Sequence, residues 1–142
     1  MLFGGFALAV AAIFTGAAFY INFAEQPARL ALEDRALLEE WKLSYKAGFA
    51  MQATLAVIGF VLGLLEWIVS SELTWLVGGL LLLANWPYTL FAMMPTNRAL
   101  MATPIESAGP PARELIERWG KLHAVRTALG ASAMAVFIWT AA

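Results

Sequence analysis

Four long apolar runs make up most of this sequence, and they limit the folds that it can adopt. The runs extend over Met1–Ala24, Ala47–Trp67, Leu73–Met94 and Leu122–Ala141. A helix needs about 20 apolar residues to cross the hydrocarbon of a bilayer. Lipid offers no hydrogen-bond partners, so each run must satisfy its own backbone as a helix. The sequence therefore predicts an all-α integral membrane protein, a four-transmembrane-helix bundle in up-down-up-down order.

Composition supports this class of protein. Hydrophobic residues make up 61% of the chain and charged residues only 13%, whereas a soluble domain of this length carries far more polar surface. The first run lacks a basic segment before it, and Tyr20 and Asn22 stand where a signal peptide would have small residues. We therefore interpret it as a retained helix. No linker divides the chain, so residues 1–142 are expected to form a single membrane domain.

The basic residues indicate an orientation. All nine Lys and Arg residues lie in or beside the first and third connections between the runs. Cytoplasmic loops carry an excess of basic residues, so both connections are expected in the cytoplasm, with both termini on the non-cytoplasmic side of a bacterial inner membrane. The amphipathic stretch Arg29–Lys46 predicts that the second helix extends beyond the membrane into the cytoplasm. The lipid bilayer is the expected partner, and no nucleic acid is expected.

The first helix carries two local signals. Small residues recur along one face at Gly5, Ala9, Ala12 and Gly16, a pattern that lets membrane helices pack closely. Near its end, Glu25 and Arg29 have the spacing of an intrahelical ion pair. Pro27 lies between them and predicts a kink or a restart of the helix.

Three breaks are expected further along the chain. Glu66–Leu73 predicts a short turn, in which Ser70 or Ser71 would cap the third helix. Pro87 removes a backbone hydrogen bond and predicts a weak point inside the third helix. The segment Pro95–Arg98 is expected to end that helix.

The most informative stretch of the sequence is Trp119–Gly130. It contains the only histidine in the chain, His123, and Arg126 follows at the start of a long apolar run. Residues three, four and seven positions apart share one helix face, so Trp119, His123, Arg126 and Gly130 form one stripe. Such a stripe has to face a polar group.

Polar and aromatic residues also gather at the ends of the other three helices that are expected to face the cytoplasm. They are Tyr20, Asn22, Glu25 and Arg29 in the first helix, Trp41, Tyr45 and Gln52 in the second, and Asn85, Tyr88, Thr96 and Asn97 in the third. One interpretation is a polar cavity that opens at the cytoplasmic interface, in which Glu25 or another carboxylate neutralises Arg126. The other is a belt of interfacial anchors. Asn85, His123 and Arg126 favour the cavity, because they lie further into the apolar runs.

The numbers of cysteine and histidine residues exclude several kinds of chemistry. The chain has no cysteine and one histidine, which removes disulfides, thiolate metal sites and bis-histidine haem ligation within one chain. A zinc or binuclear carboxylate site is not expected either. The sequence therefore predicts neither a metal site nor a cofactor.

Four motifs carry a resemblance to a known family. They are Glu25-Gln-Pro-Ala-Arg29, Asn85-Trp-Pro-Tyr-Thr89, Pro95-Thr-Asn97 and Trp119-x-x-x-His123-x-x-Arg126. Together they resemble the anthrone-oxygenase-like family of small four-helix membrane proteins, many of which are known only as a domain of unknown function. The resemblance covers nearly the whole chain.

The resemblance implies a cofactor-independent monooxygenase that converts an anthrone to an anthraquinone. In that interpretation His123 is the general base, and Arg126 with Asn97 stabilises the developing oxyanion. The implied substrate-binding residues are Glu25, Arg29, Trp41, Tyr45, Gln52, Asn85, Tyr88 and Trp119. The ligand would be a lipophilic aromatic small molecule, anthrone-like or quinone-like.

A second interpretation remains open at this stage. A short chain with a first helix rich in small residues also suits a non-catalytic accessory subunit of a larger membrane complex, or a homo-oligomer. A transporter is disfavoured, because the polar residues cluster at one membrane face and form no path across it.

Overall fold

Helices account for nearly the whole of the computed structural model, which describes all 142 residues. Four of them are long and apolar enough to cross a membrane. We name them α1 (Leu2–Leu30), α2 (Asp34–Ser70), α3 (Leu73–Ala102) and α4 (Pro110–Ala141). A short 3-10 helix, Ile105–Ser107, lies between α3 and α4. The all-α prediction with four apolar helices is confirmed, and this fold fits an integral membrane protein.

The four helices form a ring in which α1 and α3 each pack against both α2 and α4. Connections 31–33 and 103–109 lie together at one end, which we call the basic end; residues 71–72 and both termini lie at the opposite end. The second helix begins at Asp34, so it includes most of the charged stretch Arg29–Lys46; Arg29 and Leu30 belong to α1 instead, and residues 31–33 separate the two helices.

Two clusters of buried side chains fill the bundle. The cluster towards the opposite end is built from Ala7, Ala11, Phe14, Ala18, Ala56, Trp75, Leu82, Ala133 and Phe137. The cluster at the basic end is built from Leu37, Leu38, Trp41, Met93, Leu100, Ala112, Ile116 and Trp119. Along their helices, Gln52, Asn85, His123 and Arg126 lie between the residues of the two clusters.

The face of α1 that packs inwards is not the predicted one. Its buried residues include Gly4, Ala7, Ala11, Phe14 and Ala18, whereas Gly5, Ala9, Ala12 and Gly16 are exposed on the surface of the bundle. The adjacent face is buried because it carries Phe14 and because Gly4 makes room for the Trp75 ring, which a Cβ at Gly4 would approach to 2.6 Å. The stripe prediction is therefore wrong for packing within this chain.

The proline signals place the irregular segments. In α1 a π-helix over Ile21–Glu25 precedes the helical segment Gln26–Leu30, in which Pro27 occupies the first turn. In α3 the helix breaks near Ala84, and a π-helix over Thr89–Met93 follows. The expected restart at Pro27 and weak point at Pro87 are both confirmed.

Two predicted breaks are wrong. Pro95 does not end α3, because it lies in the first turn of the segment Met94–Ala102, where proline costs no helical hydrogen bond. Glu66 is not in a turn, because α2 continues to Ser70. Its side chain is 1% exposed and accepts a hydrogen bond of 2.9 Å from the Gly4 N–H. Neither serine caps α3, which follows Glu72.

Candidate functional site

A small cavity lies among all four helices in the half of the bundle nearer the basic end. Its volume is about 30 Å³, which is room for one or two water molecules. Its wall includes eight of the eleven site residues that the sequence predicts. They are Glu25, Arg29, Tyr45, Gln52, Asn97, Trp119, His123 and Arg126.

His123 is held in one tautomer by Asn22. The imidazole is 2% exposed, and its Nδ1 lies 2.8 Å from Asn22 Oδ1. The Asn22 amide nitrogen donates to the Gly120 carbonyl oxygen at 2.9 Å, which fixes the amide so that its oxygen faces His123. Since that oxygen can only accept, Nδ1 carries a proton, and in the neutral imidazole Nε2 is the nitrogen with the free lone pair.

The sequence places Asn22 in the polar cluster at this end of the helices but assigns it no role in the site. It also accepts a hydrogen bond of 2.8 Å from the Thr127 hydroxyl, one turn beyond His123. The available signal was a carboxamide close to the end of an apolar run, where polar groups are costly unless they have partners. Spacing within α1 could not reveal that its partner lies on α4.

Arg126 is a buried cation without a counterion. The residue is 6% exposed, it belongs to none of the ion pairs in the protein, and its Nε has no hydrogen-bond partner. Its guanidinium carbon lies 5.8 Å from the centre of the Phe14 ring. A buried charge left in this state is costly. The guanidinium therefore has the charge and the free donor capacity to bind an anion.

The expectation that Glu25 neutralises Arg126 is wrong, because Glu25 pairs with Arg29. Arg29 Nη2 lies 2.7 Å from Glu25 Oε1, which confirms the predicted intrahelical pair. Arg29 Nε lies 2.9 Å from Glu40 Oε2, Nη2 also donates to the Ser44 hydroxyl at 3.1 Å, and the guanidinium lies 5.3 Å from the Trp119 ring centre. Arg29 is thus a cation with two carboxylates.

Three of the predicted site residues lie outside the cavity wall. Trp41 is fully buried and stacks on Tyr45 with ring centres 4.7 Å apart. Tyr88 donates its hydroxyl to the Leu122 carbonyl oxygen at 2.7 Å. Asn85 lines a second cavity of about 10 Å³, which lies against Arg126 and is lined in part by Trp86. No group of three or more His, Cys, Asp or Glu side chains is arranged to hold a metal ion.

Comparison with known proteins gives a family. The family model for anthrone oxygenase matches residues 41–136, which include His123, Arg126 and Asn97. An anthrone oxygenase from Claviceps purpurea (strain 20.1) is 31% identical over 137 residues, a match that covers 87% of this chain and 79% of the relative. No solved structure matches the chain.

Proposed function

The chain belongs to the anthrone oxygenase family, and on that premise we propose that it oxidises a lipophilic aromatic ketone of the anthrone kind with dioxygen. One observation carries this proposal: an imidazole with a free nitrogen and a cation without a counterion line the same buried cavity. The alternative role of an accessory subunit has no support in the comparisons.

In the first step His123 acts as the general base. Its Nε2 removes a proton from the methylene carbon of the anthrone, and the electron pair of that bond moves through the ring onto the carbonyl oxygen. The hydrogen bond from Nδ1–H to Asn22 keeps the basic nitrogen turned away from Asn22 throughout. The ring then carries a positive charge next to the new oxyanion.

Arg126 and Asn97 stabilise that oxyanion. Both are buried, at 6% and 2% exposure, and both line the cavity with His123. A charge fixed in place before the reaction costs no reorganisation when the negative charge develops. The substrate anion thereby supplies the counterion that Arg126 lacks in the free protein.

Dioxygen is the oxidant, and the electrons balance without a cofactor. The electron-rich carbon bonds to dioxygen, and the resulting peroxide takes the proton from His123. His123 then removes the second proton of that carbon as the O–O bond breaks. One oxygen atom stays as the new carbonyl, and the other takes the proton back and leaves as water.

An ¹⁸O₂ experiment tests this proposal. Purified protein in detergent is supplied with anthrone, and the anthraquinone formed above the spontaneous background is analysed by mass spectrometry. We expect one ¹⁸O atom per product molecule. We also expect His123→Gln to lower the initial rate by about 10²–10⁴-fold, the usual contribution of a positioned base.

A matched control is available on the same helix. Lys121 is exposed two residues before His123, so Lys121→Gln introduces the same side chain outside the cavity and should leave the rate unchanged. A His123→Gln protein that turns over anthrone at the wild-type rate would refute the role of His123. A wild-type protein that adds nothing to the spontaneous rate would refute the activity.

We further propose that the basic end faces the cytoplasm, as the distribution of basic residues favours. Reporter domains that are active on only one side of a membrane, fused after Ala142, test this orientation. Activity of a periplasmic reporter is the expected result, and activity of a cytoplasmic reporter would reverse the assignment.

A further inference from the structure

A groove between α1 and α2 leads to the candidate site from the outer surface of the bundle. It has a volume of about 380 Å³, which falls within the range of about 300–1,000 Å³ for small-molecule sites. The cavity beside His123, at about 30 Å³, holds no three-ring molecule. The rings of an anthrone therefore need space outside that cavity, and the groove offers it.

The groove adjoins the cavity directly. Four residues line both spaces: Ile21, Glu25, Ser44 and Gly48. A larger groove of about 490 Å³ lies between α3 and α4, but none of its lining residues lines the cavity. Continuity with His123 thus singles out the groove between α1 and α2.

The chemistry of the groove changes along its length. Its outer wall is apolar, with Ala17, Ala47 and Met51, and the last two are exposed to the surroundings of the bundle. Glu25 and Ser44 lie where it meets the cavity. A flat apolar molecule with one polar edge matches this order, and the hydrophobic effect concentrates such molecules in a bilayer.

Gly48 keeps the junction open. A Cβ built at this position meets no atom within 4 Å, so the missing side chain leaves free space between the groove and the cavity. One turn further along the same face, Gln52 is 1% exposed and belongs to the cavity wall. Because Gly48 lines both spaces and a Cβ there meets no atom, a larger side chain at position 48 has room to occupy the passage.

We propose that the lipophilic substrate enters from the bilayer and binds in the groove between α1 and α2, with its reacting carbon passing over Gly48 to His123. This inference rests on the proposed function for the identity of the substrate. The occupant is a planar aromatic ketone, whose rings contact the apolar wall.

Paired leucine substitutions test the path. Gly48→Leu should lower kcat/KM for anthrone at least tenfold, mainly by raising KM. Gly5→Leu is the matched control, because a Cβ at Gly5 also meets no atom within 4 Å and the residue is exposed; it should stay within twofold of the wild type. Wild-type kcat/KM in a folded Gly48→Leu protein would overturn the proposal.

A reversible block covers the case in which Gly48→Leu fails to fold. The chain has no cysteine, so Gly48→Cys carries a single thiol in the open space at the junction. We expect this variant to be active, to lose activity when benzyl methanethiosulfonate modifies the thiol, and to regain it after reduction. Modification of Gly5→Cys to the same extent should change nothing. Full activity of modified Gly48→Cys would argue against the path.

Photolabelling with anthraquinone separates the two proposals, because it needs no turnover. Irradiation should attach the probe to peptides containing Ala17 or Met51. Labelling there without anthrone oxidation would leave the groove standing and refute the activity. Labelling around Phe91 and Leu122, in the groove between α3 and α4, together with normal oxidation would refute the path between α1 and α2 but not the activity. Label that phospholipid displaces and anthrone does not would show a lipid site, and this outcome would also refute the path.

Discussion

Two buried arginines in this bundle have opposite environments. Arg29 is 3% exposed and has two carboxylates within 3 Å. Arg126 is 6% exposed and has none. Burial without a counterion is unfavourable for folding, so stability alone gives no reason for Arg126. The proposed function, in which Arg126 stabilises a transient oxyanion, gives one.

This contrast predicts opposite effects of the same substitution. Arg126→Met removes an uncompensated charge, so it should raise the free energy of unfolding by about 1 kcal/mol or more while abolishing anthrone oxidation. Arg29→Met leaves Glu25 and Glu40 without their cation, so it should lower the free energy of unfolding by about 1–3 kcal/mol. The loss is smaller than for a fully buried pair, because both carboxylates stay partly hydrated. Unfolding in detergent, followed by circular dichroism, measures both. A destabilised Arg126→Met would contradict this account.

In the proposed mechanism Asn22 positions His123, and this role has a signature at the imidazole itself. Asn22→Ala should lower kcat by about 10–100-fold, by analogy with the loss of the group that orients a metal-binding histidine, and should leave KM unchanged. The chain has one histidine, so ¹⁵N spectra of the imidazole report on it alone. We expect protonated Nδ1 and bare Nε2 in the wild type, and mixed tautomers in the variant.

Gln26→Ala is the control for Asn22→Ala. The Gln26 amide also joins α1 to α4, by donating to the Ile116 carbonyl oxygen at 2.9 Å, but it makes no hydrogen bond to His123. A merely structural role for Asn22 would make the two variants alike. Unchanged ¹⁵N shifts in Asn22→Ala would contradict the tautomer assignment.

Sequence reasoning reaches part of this site. Helical spacing places Trp119, His123 and Arg126 on one face, and the structure buries all three. Which groups meet across helices depends on how α1 is set against α2 and α4, and spacing along one helix holds no record of that. The Asn22–His123 hydrogen bond and the Glu40–Arg29 ion pair therefore could not be predicted.

At the scale of single helices, prolines predict where the regular α-helix is interrupted, but not whether the helix ends there or continues after a π-helical turn. Pro27 and Pro95 both lie in the first turn of a helical segment that follows a π-helix. A single wide turn lets the chain absorb the proline and continue, so α3 reaches Ala102 past the predicted stop. Burial of Leu100, at 0% exposure, favours that continuation.

Close approach of α2 and α3 depends on a glycine. A Cβ at Gly63 would lie 2.7 Å from the Trp75 carbonyl oxygen, and backbone cannot move aside as a flexible side chain can. Gly63→Ala should therefore destabilise the bundle by about 1–3 kcal/mol, the usual cost of overpacking. Reversible unfolding in mixed micelles measures this.

Gly16 provides the comparison. A Cβ there meets no atom within 4 Å, so Gly16→Ala should stabilise the helix by about 0.5–1 kcal/mol through its higher helix propensity. Equal effects at Gly63 and Gly16 would show that propensity, not contact between α2 and α3, governs both positions.

At the scale of the whole molecule, apolar length and the clustering of basic residues predict four helices and an end with distinctive chemistry. The small stripe of α1 shows the limit of such reasoning. Gly5 and Gly16 have the spacing of a packing face, yet the adjacent face of α1 is the buried one. It carries Phe14, whose ring packs against Gly130 of α4 so closely that a Cβ at Gly130 would lie 2.7 Å from it. Complementary shape decides between neighbouring faces, and one helix alone does not show it.

The basic end is held together by Arg113, which joins the start of α4 to the connection between α1 and α2. Its guanidinium donates to the Leu30 and Leu32 carbonyl oxygens at 2.8 and 2.5 Å, and its Nε lies 2.6 Å from Asp34 Oδ1. The two carbonyl groups lie at the end of α1, where no further helical turn supplies donors. One side chain therefore connects three of the four helices near Arg29.

Arg113→Met should loosen this end without unfolding the bundle. We expect faster cleavage after Glu33 by a glutamyl protease, and a several-fold lower kcat, because α1 and α2 also carry Glu25, Arg29 and Glu40. Arg118→Met removes an exposed arginine one turn further along α4 and should change neither quantity. If Arg113→Met and Arg118→Met are cleaved at equal rates, Arg113 does not hold the connection, and the order of the cavity must come from the helices alone.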